Sequence, residues 1–341
     1  MNPFVSVCIS TFNRCDQLEI AVESILRQDY PHLELVIYDN ASSDNTPEYL
    51  TKLSEKYPNI NAICRKVPNR NAMQTLNQTF RASRGEYILV LDDDAYLPDT
   101  TTISKLVIAM ETHPDAAIVG ANVQAANGDW QMPIRTVDGL FVPSWQIGNM
   151  GTFKYFEFHG ACALFRKSFV QEIGYYDESF MIYMNELDLS TRVLAMGFNV
   201  YICADVIAIH TGVGDKNACT KKVYYFIKNY NTVITRTFTS VYKRLTGVLL
   251  HSFMSGGYYF ERIMIHKTCK SRFVVFKFLY YLTKILCIGI YRSFFPDKNY
   301  RFDISFQRIY ENSMYNGFKR CVTDRLLWFI NRKDTTSKGV R

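Results

Sequence analysis

The sequence contains no CxxC pair among its nine cysteines, and their odd number argues against a disulfide framework. Most of them lie inside apolar runs, such as Cys8 within residues 5–9 and Cys287 within residues 285–290. We therefore expect buried, reduced thiols, as in a cytosolic protein. The N-terminus also lacks the basic and apolar segments of a secretory signal, so we expect it to form the first strand.

Two phosphate-binding patterns are absent as well. The sequence has neither the glycine fingerprint of a dinucleotide-binding fold nor a GxxxxGK[ST] loop, and the second absence excludes the P-loop enzymes. It has no internal repeat and no low-complexity tract. With 341 residues, 48% of them hydrophobic and 21% charged, the composition is that of a globular protein of one or two domains.

The net charge of +7 conceals an uneven distribution along the chain. Residues 1–215 contain 15 basic and 26 acidic residues, whereas residues 216–341 contain 24 basic and 6 acidic residues. This division predicts two regions with different roles, 1–215 and 216–341. The second region has the charge needed to meet an anionic surface.

The first region alternates short β-branched runs with amphipathic stretches, which predicts an α/β fold with a mostly parallel sheet and helices on both faces. Residues 120–160 are rich in glycine and proline and are interpreted as loops and edge strands. The predicted strands are residues 4–10, 34–39, 60–65, 86–91 and 205–210, and the predicted helices are residues 16–28, 71–83, 167–173 and 185–196, with a further helix beginning at Thr46.

Polar side chains follow three of these strands, in residues 10–14, 39–46 and 92–94. Ligands of such sheets bind beyond the carboxyl ends of the strands, so we expect the three clusters to form one site. Carboxylates at i and i+2 after a strand point the same way, so Asp92 and Asp94 can share one Mg²⁺ or Mn²⁺ ion. The alternative is a solvated acidic turn.

A second acidic group begins the predicted helix 185–196. Asp188 and Arg192 are four residues apart and are predicted to form a structural ion pair. Glu186 lies near the helix start and is predicted to face the cleft, where burial would suit it to act as a general base. Alternatively, the negative charge of Glu186 only stabilises the N-terminus of the helix.

Five stretches together resemble the inverting nucleotide-sugar glycosyltransferases of family 2, which have the GT-A fold. In order, they are VSVCISTFNR (5–14), LELVIYDNASSDNT (33–46), GEYILVLDDDAYLPD (85–99), GACALFRKSFVQEIGYYDESF (160–180) and NELDLSTRVLAMGF (185–198). The resemblance implies a GT-A (Rossmann-like), mixed, mostly parallel sheet in a catalytic domain of residues 1–215. It also implies a nucleotide-sugar donor and a glycan or lipid-linked acceptor of a surface polysaccharide.

The resemblance also implies roles for individual residues. It gives Glu186 as the catalytic base, with inversion at the sugar in a single displacement. Mn²⁺ or Mg²⁺ would be held by Asp92, Asp94 and His210, and would stabilise the leaving nucleoside diphosphate. The implied donor-binding residues are Thr11, Arg14, Asp39, Asp92 and Asp93.

Two departures from the family pattern leave alternatives open. The family often has Glu-Asp where this chain has Asn185-Glu186, and the family's glycine-rich segment corresponds to residues 69–77, which lack glycine. An inactive donor-binding subunit of a glycan assembly complex therefore remains an alternative. A nucleotidyltransferase that uses the aspartates for phosphoryl chemistry is another.

The basic region 216–341 is predicted to be mainly α-helical. Residues 273–291 are apolar except for Lys277, Thr283 and Lys284, and Lys270, Lys277 and Lys284 are seven residues apart. A helix lying in the membrane interface fits this pattern better than a transmembrane helix, which would place Lys284 deep in the bilayer. We expect a cytoplasmic protein, peripheral on the inner face of the cytoplasmic membrane. The alternative is a helix packed on the catalytic domain, whereas nucleic-acid binding is not expected because the aromatic residues lie in apolar runs.

Overall fold

The computed structural model describes residues 2–64, 71–129, 131, 151–155, 157–212, 220–237, 240–249, 252 and 272–294. The chain divides into two compact units. The first contains the described residues up to 212, and the second contains those from 220 onward. The division of roles between 1–215 and 216–341 stays a prediction.

A mixed, mostly parallel sheet organises the first unit. Its strands are β1 (Val5–Thr11), β2 (Leu33–Asp39), β3 (Ile60–Cys64), β4 (Tyr87–Leu91), β5 (Ala95–Tyr96), β6 (Ala116–Ala125), β7 (Thr152–Tyr155), β8 (Cys162–Arg166) and β9 (Asn199–His210). They are ordered β3-β2-β1-β4-β8-β6-β9-β5, and β7 pairs with β9. The neighbours from β3 to β4 are parallel, and β8 runs antiparallel to both β4 and β6. The predicted fold class is confirmed.

Helices follow the strands of the first unit, as the alternating pattern predicts. They are α1 (Cys15–Leu26), α2 (Thr46–Lys56), α3 (Ala72–Ala82), α4 (Thr102–Thr112), α5 (Lys167–Glu172) and α6 (Asn185–Ala195), with a 3₁₀ turn at Glu178–Phe180. On α1 the apolar residues Leu18, Val22 and Ile25 share one face and are buried in the core beside the strands. Burial of such stripes against the sheet, rather than helix propensity, supplies most of the stability of these short helices.

The prediction for residues 120–160 was wrong at its start, because residues 116–125 form β6, an interior strand between β8 and β9. Gly120 contributed to the loop interpretation, yet it lies within this strand. A Cβ at this position would come within 2.9 Å of Ile202 and 3.1 Å of Phe158. Glycine at this position therefore allows close packing within a strand and does not mark a turn.

The second unit contains a pair of helices, α7 (Thr220–Thr237) and α8 (Arg272–Phe294), and residues 241–249 are also helical. Ile227 and Ile285 form a small buried cluster between α7 and α8. The Arg244 Nε atom donates a hydrogen bond of 2.7 Å to the carbonyl oxygen of Ser293. That the whole of 216–341 is mainly helical stays a prediction.

α8 includes the predicted helix 273–291, and Lys284 is exposed on it. Lys270 and the side chain of Lys277 lie outside the described residues, so the predicted lysine ridge stays a prediction. Among the helices in the described part of the chain, none is both long enough and apolar enough to cross a membrane.

The six described cysteines are free thiols, as predicted. Cys8, Cys15, Cys162 and Cys203 are buried, whereas Cys64 and Cys287 are exposed. The expectation of burial was therefore wrong for Cys287, because the apolar run around it forms a helix with one face open to solvent.

Candidate active site

The loops that follow β1 and β2 are joined by hydrogen bonds at the carboxyl edge of the sheet. The Asn13 backbone N–H donates to Ser42 Oγ (2.8 Å), and Asn13 Oδ1 accepts from the backbone N–H of Ser43 (2.7 Å). Asp44 accepts from the backbone N–H of Cys15, the first residue of α1. Asn13 has a φ of 53°, a conformation that asparagine tolerates better than most residues. The two polar clusters after these strands therefore form one surface.

Thr11 and Asp39, both predicted to bind the donor, are directly paired at the ends of β1 and β2. Both residues are buried, with exposed fractions of 2% and 1%. Ser42 donates two hydrogen bonds, from its backbone N–H and its hydroxyl, to Asp39 Oδ1. The second oxygen, Asp39 Oδ2, is buried and has no hydrogen-bond partner among the described residues. A buried carboxylate oxygen left in this way is suited to accept a hydrogen bond from a ligand.

The predicted metal ligands lie together. Asp92, Asp94 and His210 each offer a ligand atom, and these atoms all lie within 4.8 Å of one another. His210 Nε2 is 3.1 Å from Asp94 Oδ1 and 3.9 Å from Asp92 Oδ2. The backbone causes this proximity, because Ala95 pairs with His210 between β5 and β9, directly after the aspartates.

Gln131 fixes the orientation of the His210 ring. Its Oε1 atom lies 2.6 Å from His210 Nδ1, while its Nε2 atom donates to the His210 carbonyl oxygen at 3.3 Å. The amide oxygen can only accept, so Nδ1 carries a proton and Nε2 faces the carboxylates. A lone pair on Nε2 in that position requires either a second proton or a cation between it and the carboxylates. Many metal-binding histidines likewise donate their other ring N–H to an oxygen atom that fixes the ring.

Arg14 contacts the aspartate cluster from the other side. Its Nη1 atom lies 2.8 Å from Asp93 Oδ1 and 3.1 Å from Asp94 Oδ2. Both aspartates are 6% exposed, so the guanidinium compensates charges that are largely withheld from water. Arg14 and Asp93, both predicted to bind the donor, are thus paired with each other.

The carboxylates of the cluster differ in acidity. Burial, together with the charges of Asp94, Asp93 and Glu186, raises the pKa of Asp92 to about 7, although His210 acts in the opposite direction. Burial would also raise the pKa of Asp94, but its hydrogen bond and charge contact with His210, aided by Arg14, hold it below the usual value. Burial also raises the pKa of Asp93, although Arg14 acts in the opposite direction. Added positive charge would favour the ionised form of all three carboxylates.

Glu186 is the second residue of α6 and lies near the aspartates, where its charge raises the pKa of Asp92. The Asp92 backbone N–H donates to the Ala161 carbonyl oxygen (3.1 Å), and a Cβ on the adjacent Gly160 would overlap Glu186 Oε1. Burial and the charge of Glu157 raise the pKa of Glu186 to about 7, although hydrogen bonds from its own backbone and from Asn185 act in the opposite direction. A carboxyl group with this pKa can accept a proton near neutral pH.

The predicted ion pair on α6 is confirmed. Arg192 Nε lies 2.9 Å from Asp188 Oδ2, and both side chains are buried. Arg192 Nη1 also donates to the Ile173 carbonyl oxygen (2.8 Å). This pair therefore anchors α6 to the segment after α5, which leaves Glu186 on a different side of the helix.

The loop before α6 is held by Asn77 of α3 and by Asn71, the residue that precedes this helix. Asn77 is 1% exposed; its amide donates to the Tyr176 carbonyl oxygen (2.9 Å) and its Oδ1 accepts from the Tyr176 backbone N–H (3.1 Å). Asn71 donates to the Glu178 carbonyl oxygen (2.6 Å). Four residues of this loop that are not glycine have positive φ angles, namely Tyr175, Met181, Tyr183 and Met184. Such strain persists only where surrounding contacts determine the backbone, and it concentrates at functional sites.

Sequence reasoning missed four residues at the site. Gln131 follows a turn after β6, His159 precedes β8, and Asn77 and Tyr176 hold the loop before α6. The His159 ring lies 5.7 Å from that of His210, and burial, with the charge of His210, lowers its pKa to about 4. No spacing in the sequence indicates these contacts, because each joins residues that are distant along the chain.

Comparison with known proteins identifies a family. Residues 6–174 match the model described as Glycosyl transferase family 2. The chain is 34% identical over 109 residues to an Escherichia coli protein named UDP-Glc:alpha-D-GlcNAc-diphosphoundecaprenol beta-1,3-glucosyltransferase WfaP, covering 32% of this chain and 41% of that one. It is 24% identical over 205 residues to the Poly-beta-1,6-N-acetyl-D-glucosamine synthase of Staphylococcus epidermidis, covering 58% of this chain and 46% of that one.

A solved structure shows the same fold. The mannosyltransferase PcManGT from Pyrobaculum calidifontis, in complex with GDP-Man and Mn²⁺, aligns with a TM-score of 0.54 at 16% identity. The alignment covers 93% of this chain and 87% of that one. By contrast, the chain spans about half the length, or less, of the curated relatives that it matches.

Proposed function

Because this chain belongs to glycosyltransferase family 2, we propose that it transfers a sugar, with inversion, from a nucleotide-sugar donor to a hydroxyl group of a glycan or lipid-linked acceptor in surface polysaccharide biosynthesis. The observation that supports this most directly is the cluster of Asp92, Asp94 and His210, with Glu186 close enough for its charge to raise the pKa of Asp92. The names of the two bacterial relatives, a glucosyltransferase and a polysaccharide synthase, support the acceptor class.

The donor's nucleoside would lie on the paired ends of β1 and β2. Asp39 Oδ2, buried and without a partner among the described residues, would accept a hydrogen bond from an N–H group of the base. Thr11, its neighbour across the two strands, would bound the same pocket. The base of a UDP- or dTDP-sugar, the donors that we propose, carries an N–H group that fits this acceptor.

The residues present fit a divalent cation. Two carboxylates and an imidazole lie within 4.8 Å of one another, and this mixed oxygen and nitrogen set suits Mn²⁺ as well as Mg²⁺. Burial and the charges of Asp94, Asp93 and Glu186 raise the pKa of Asp92, and a bound cation would favour its ionised form. A cation held by Asp92, Asp94 and His210 would supply the positive charge that stabilises a leaving nucleoside diphosphate. Mn²⁺ in the complex of the similar mannosyltransferase supports this assignment.

Glu186 would act as the general base. With a pKa of about 7 it is substantially ionised at neutral pH, and it would take the proton of the acceptor hydroxyl as that oxygen attacks the anomeric carbon. The bond from that carbon to the diphosphate breaks in the same displacement, so the sugar is inverted. Arg14, which already contacts Asp93 and Asp94, would keep the aspartates in place while the diphosphate departs.

The experiment that tests this proposal is a panel of nucleotide-sugars with Mn²⁺ and Mg²⁺, in which nucleoside diphosphate release is followed. Release of nucleoside diphosphate by the wild-type protein supports transfer. Release of pyrophosphate in a parallel assay with a nucleoside triphosphate and a sugar 1-phosphate would instead identify a nucleotidyltransferase. Glu186→Gln should abolish release and keep donor binding, measured by thermal shift. Near-normal turnover by that variant would remove Glu186 from the role of base.

The second unit would attach the enzyme to the inner face of the cytoplasmic membrane. Lys284 is exposed on α8, as are the rings of Tyr291 (64%) and Phe294 (54%) near its end. Basic and aromatic side chains together favour the interface of an anionic bilayer. Vesicles containing anionic lipid should sediment the wild-type protein more strongly than neutral vesicles, and Lys284→Glu should weaken that binding. Equal binding to both kinds of vesicle would contradict the proposal.

A further inference from the structure

Tyr176 contains a buried hydroxyl group that no described residue satisfies. The residue is 2% exposed, and its hydroxyl oxygen is inaccessible to solvent and has no hydrogen-bond partner within the described part of the chain. Buried polar atoms in native proteins are almost always paired, so each exception requires an explanation. A phenylalanine here would fill nearly the same volume without leaving a polar atom unpaired.

The position of Tyr176 is fixed, because its backbone is hydrogen-bonded and its ring is packed against other rings. Asn77 forms two hydrogen bonds with the Tyr176 backbone, one to each peptide group. The Tyr176 ring packs 5.9 Å from Phe80 and 6.3 Å from Phe165. The hydroxyl is therefore directed by fixed surroundings rather than by its own hydrogen bonding.

The hydroxyl lies within electrostatic range of the proposed base. Phe165 also contacts Phe158 (5.3 Å), which is two residues before Gly160, where an added Cβ would overlap Glu186 Oε1. Together with burial, the charges of Glu186 and Asp92 raise the pKa of Tyr176 well above its ordinary value of 10. The phenol therefore keeps its proton and can only be a hydrogen-bond donor toward a carboxylate.

We infer that Tyr176 is a positioning residue for the transfer reaction, whose hydroxyl donates a hydrogen bond to the Glu186 carboxylate once that carboxylate, still beside Gly160, turns toward the acceptor. Glutamate has three side-chain torsions, so its carboxylate can turn toward the fixed hydroxyl without a change in the backbone. This inference rests on the proposed function of Glu186 as base.

The hydrogen bond has two consequences for the base. It orients the carboxylate, so that the free oxygen faces the acceptor hydroxyl. It also stabilises the ionised form of Glu186, which lowers the pH at which the base becomes active. Until this hydrogen bond forms, the unpaired hydroxyl lowers the free energy of unfolding of the protein.

The test is Tyr176→Phe in the full-length protein, with Tyr175→Phe as the matched control. Tyr175 is the neighbouring residue, contacts the same Phe80 ring at 5.9 Å, and is less buried. For Tyr176→Phe we expect a fall in kcat of about tenfold, the usual scale for a hydrogen bond to a charged group, with an unchanged KM for the donor. The acidic limb of the pH–kcat profile should move to higher pH, and the thermal midpoint should stay the same or rise. Tyr175→Phe should behave as wild type.

The outcomes separate the possible roles. A lower thermal midpoint with kcat and pH profile unchanged would show that the hydroxyl is structural, and would overturn the inference. Wild-type kinetics for Tyr176→Phe at an unchanged midpoint would overturn it as well. If the wild-type protein itself releases no nucleoside diphosphate from any donor, the proposed function fails. If the wild-type protein is active and Tyr176→Phe is equally active, only the inference about Tyr176 fails.

Discussion

Glu186 rests its carboxylate directly against Gly160, and a Cβ at position 160 would overlap Glu186 Oε1. The φ angle of Gly160 is not positive, so its backbone does not require glycine. The space that a Cβ would take is occupied by the Glu186 carboxylate, the end of a flexible side chain that a substitution would displace. The peptide before β8 and the start of α6 therefore define together where the proposed base can lie.

Gly160→Ala is expected to displace Glu186 and reduce kcat by about a hundredfold, because a misplacement near 1 Å has this scale of effect on positioned groups. Donor binding, measured by thermal shift with nucleotide, should persist, since Gly160 lies away from Thr11 and Asp39 in the sheet. The loss should shrink in a Glu186→Asp background, where the shorter side chain avoids the new methyl group. Equal losses in both backgrounds would contradict direct contact as the cause.

The pH dependence of transfer should follow Glu186. Because its pKa is raised to about 7 and the ionised form is the active base, kcat should rise as pH increases through about 7 and then level off. Steady-state rates from about pH 5 to about pH 9 at saturating donor would measure this limb. A rate that is already constant from pH 5 upward would mean that no group with this pKa limits the reaction.

Metal affinity should depend on Gln131, which would act on the metal through its hydrogen bonds with His210. Gln131→Leu removes the acceptor that fixes the His210 ring, and should weaken Mn²⁺ binding by about 10- to 100-fold. Titration calorimetry with Mn²⁺ in the absence of donor would measure it. Gln124→Leu is the control, because Gln124 donates to the Gly128 carbonyl oxygen in the same hairpin. Similar affinities for both variants would exclude a role for Gln131.

Stability should depend on Asn77 more than on an exposed asparagine. Asn77→Ala leaves the backbone N–H and carbonyl oxygen of Tyr176 without these partners, so we expect unfolding to become easier by about 2 to 4 kcal/mol. Denaturant unfolding would measure the change. Asn59→Ala, which removes one exposed bond to the Leu33 carbonyl oxygen, should cost less than about 1 kcal/mol.

The sequence predicted those parts of the site that depend on local pattern. Asp92 and Asp94 follow a buried strand, and Asp188 and Arg192 have helical spacing, so their geometry followed from the positions of the elements. Gln131, Asn77 and the contact of Gly160 with Glu186 did not follow. Each depends on the distance between segments that only the folded sheet brings together. The start of β6 was missed for a related reason. Glycine occurs both in loops and in closely packed strands, and the sequence does not show which of the two surrounds Gly120.

The paired ends of β1 and β2 differ in kind from the loop before α6. Thr11 and Asp39 stand on neighbouring strands in fixed register, whereas the loop is clipped to α3 by asparagine side chains and passes through several strained residues. Substitutions in residues 181–184 can therefore reshape the approach to the proposed base without disturbing the strands. In evolutionary terms the proposed function is modular: descendants of such a chain would exchange one acceptor for another while the proposed nucleotide-binding residues stay the same.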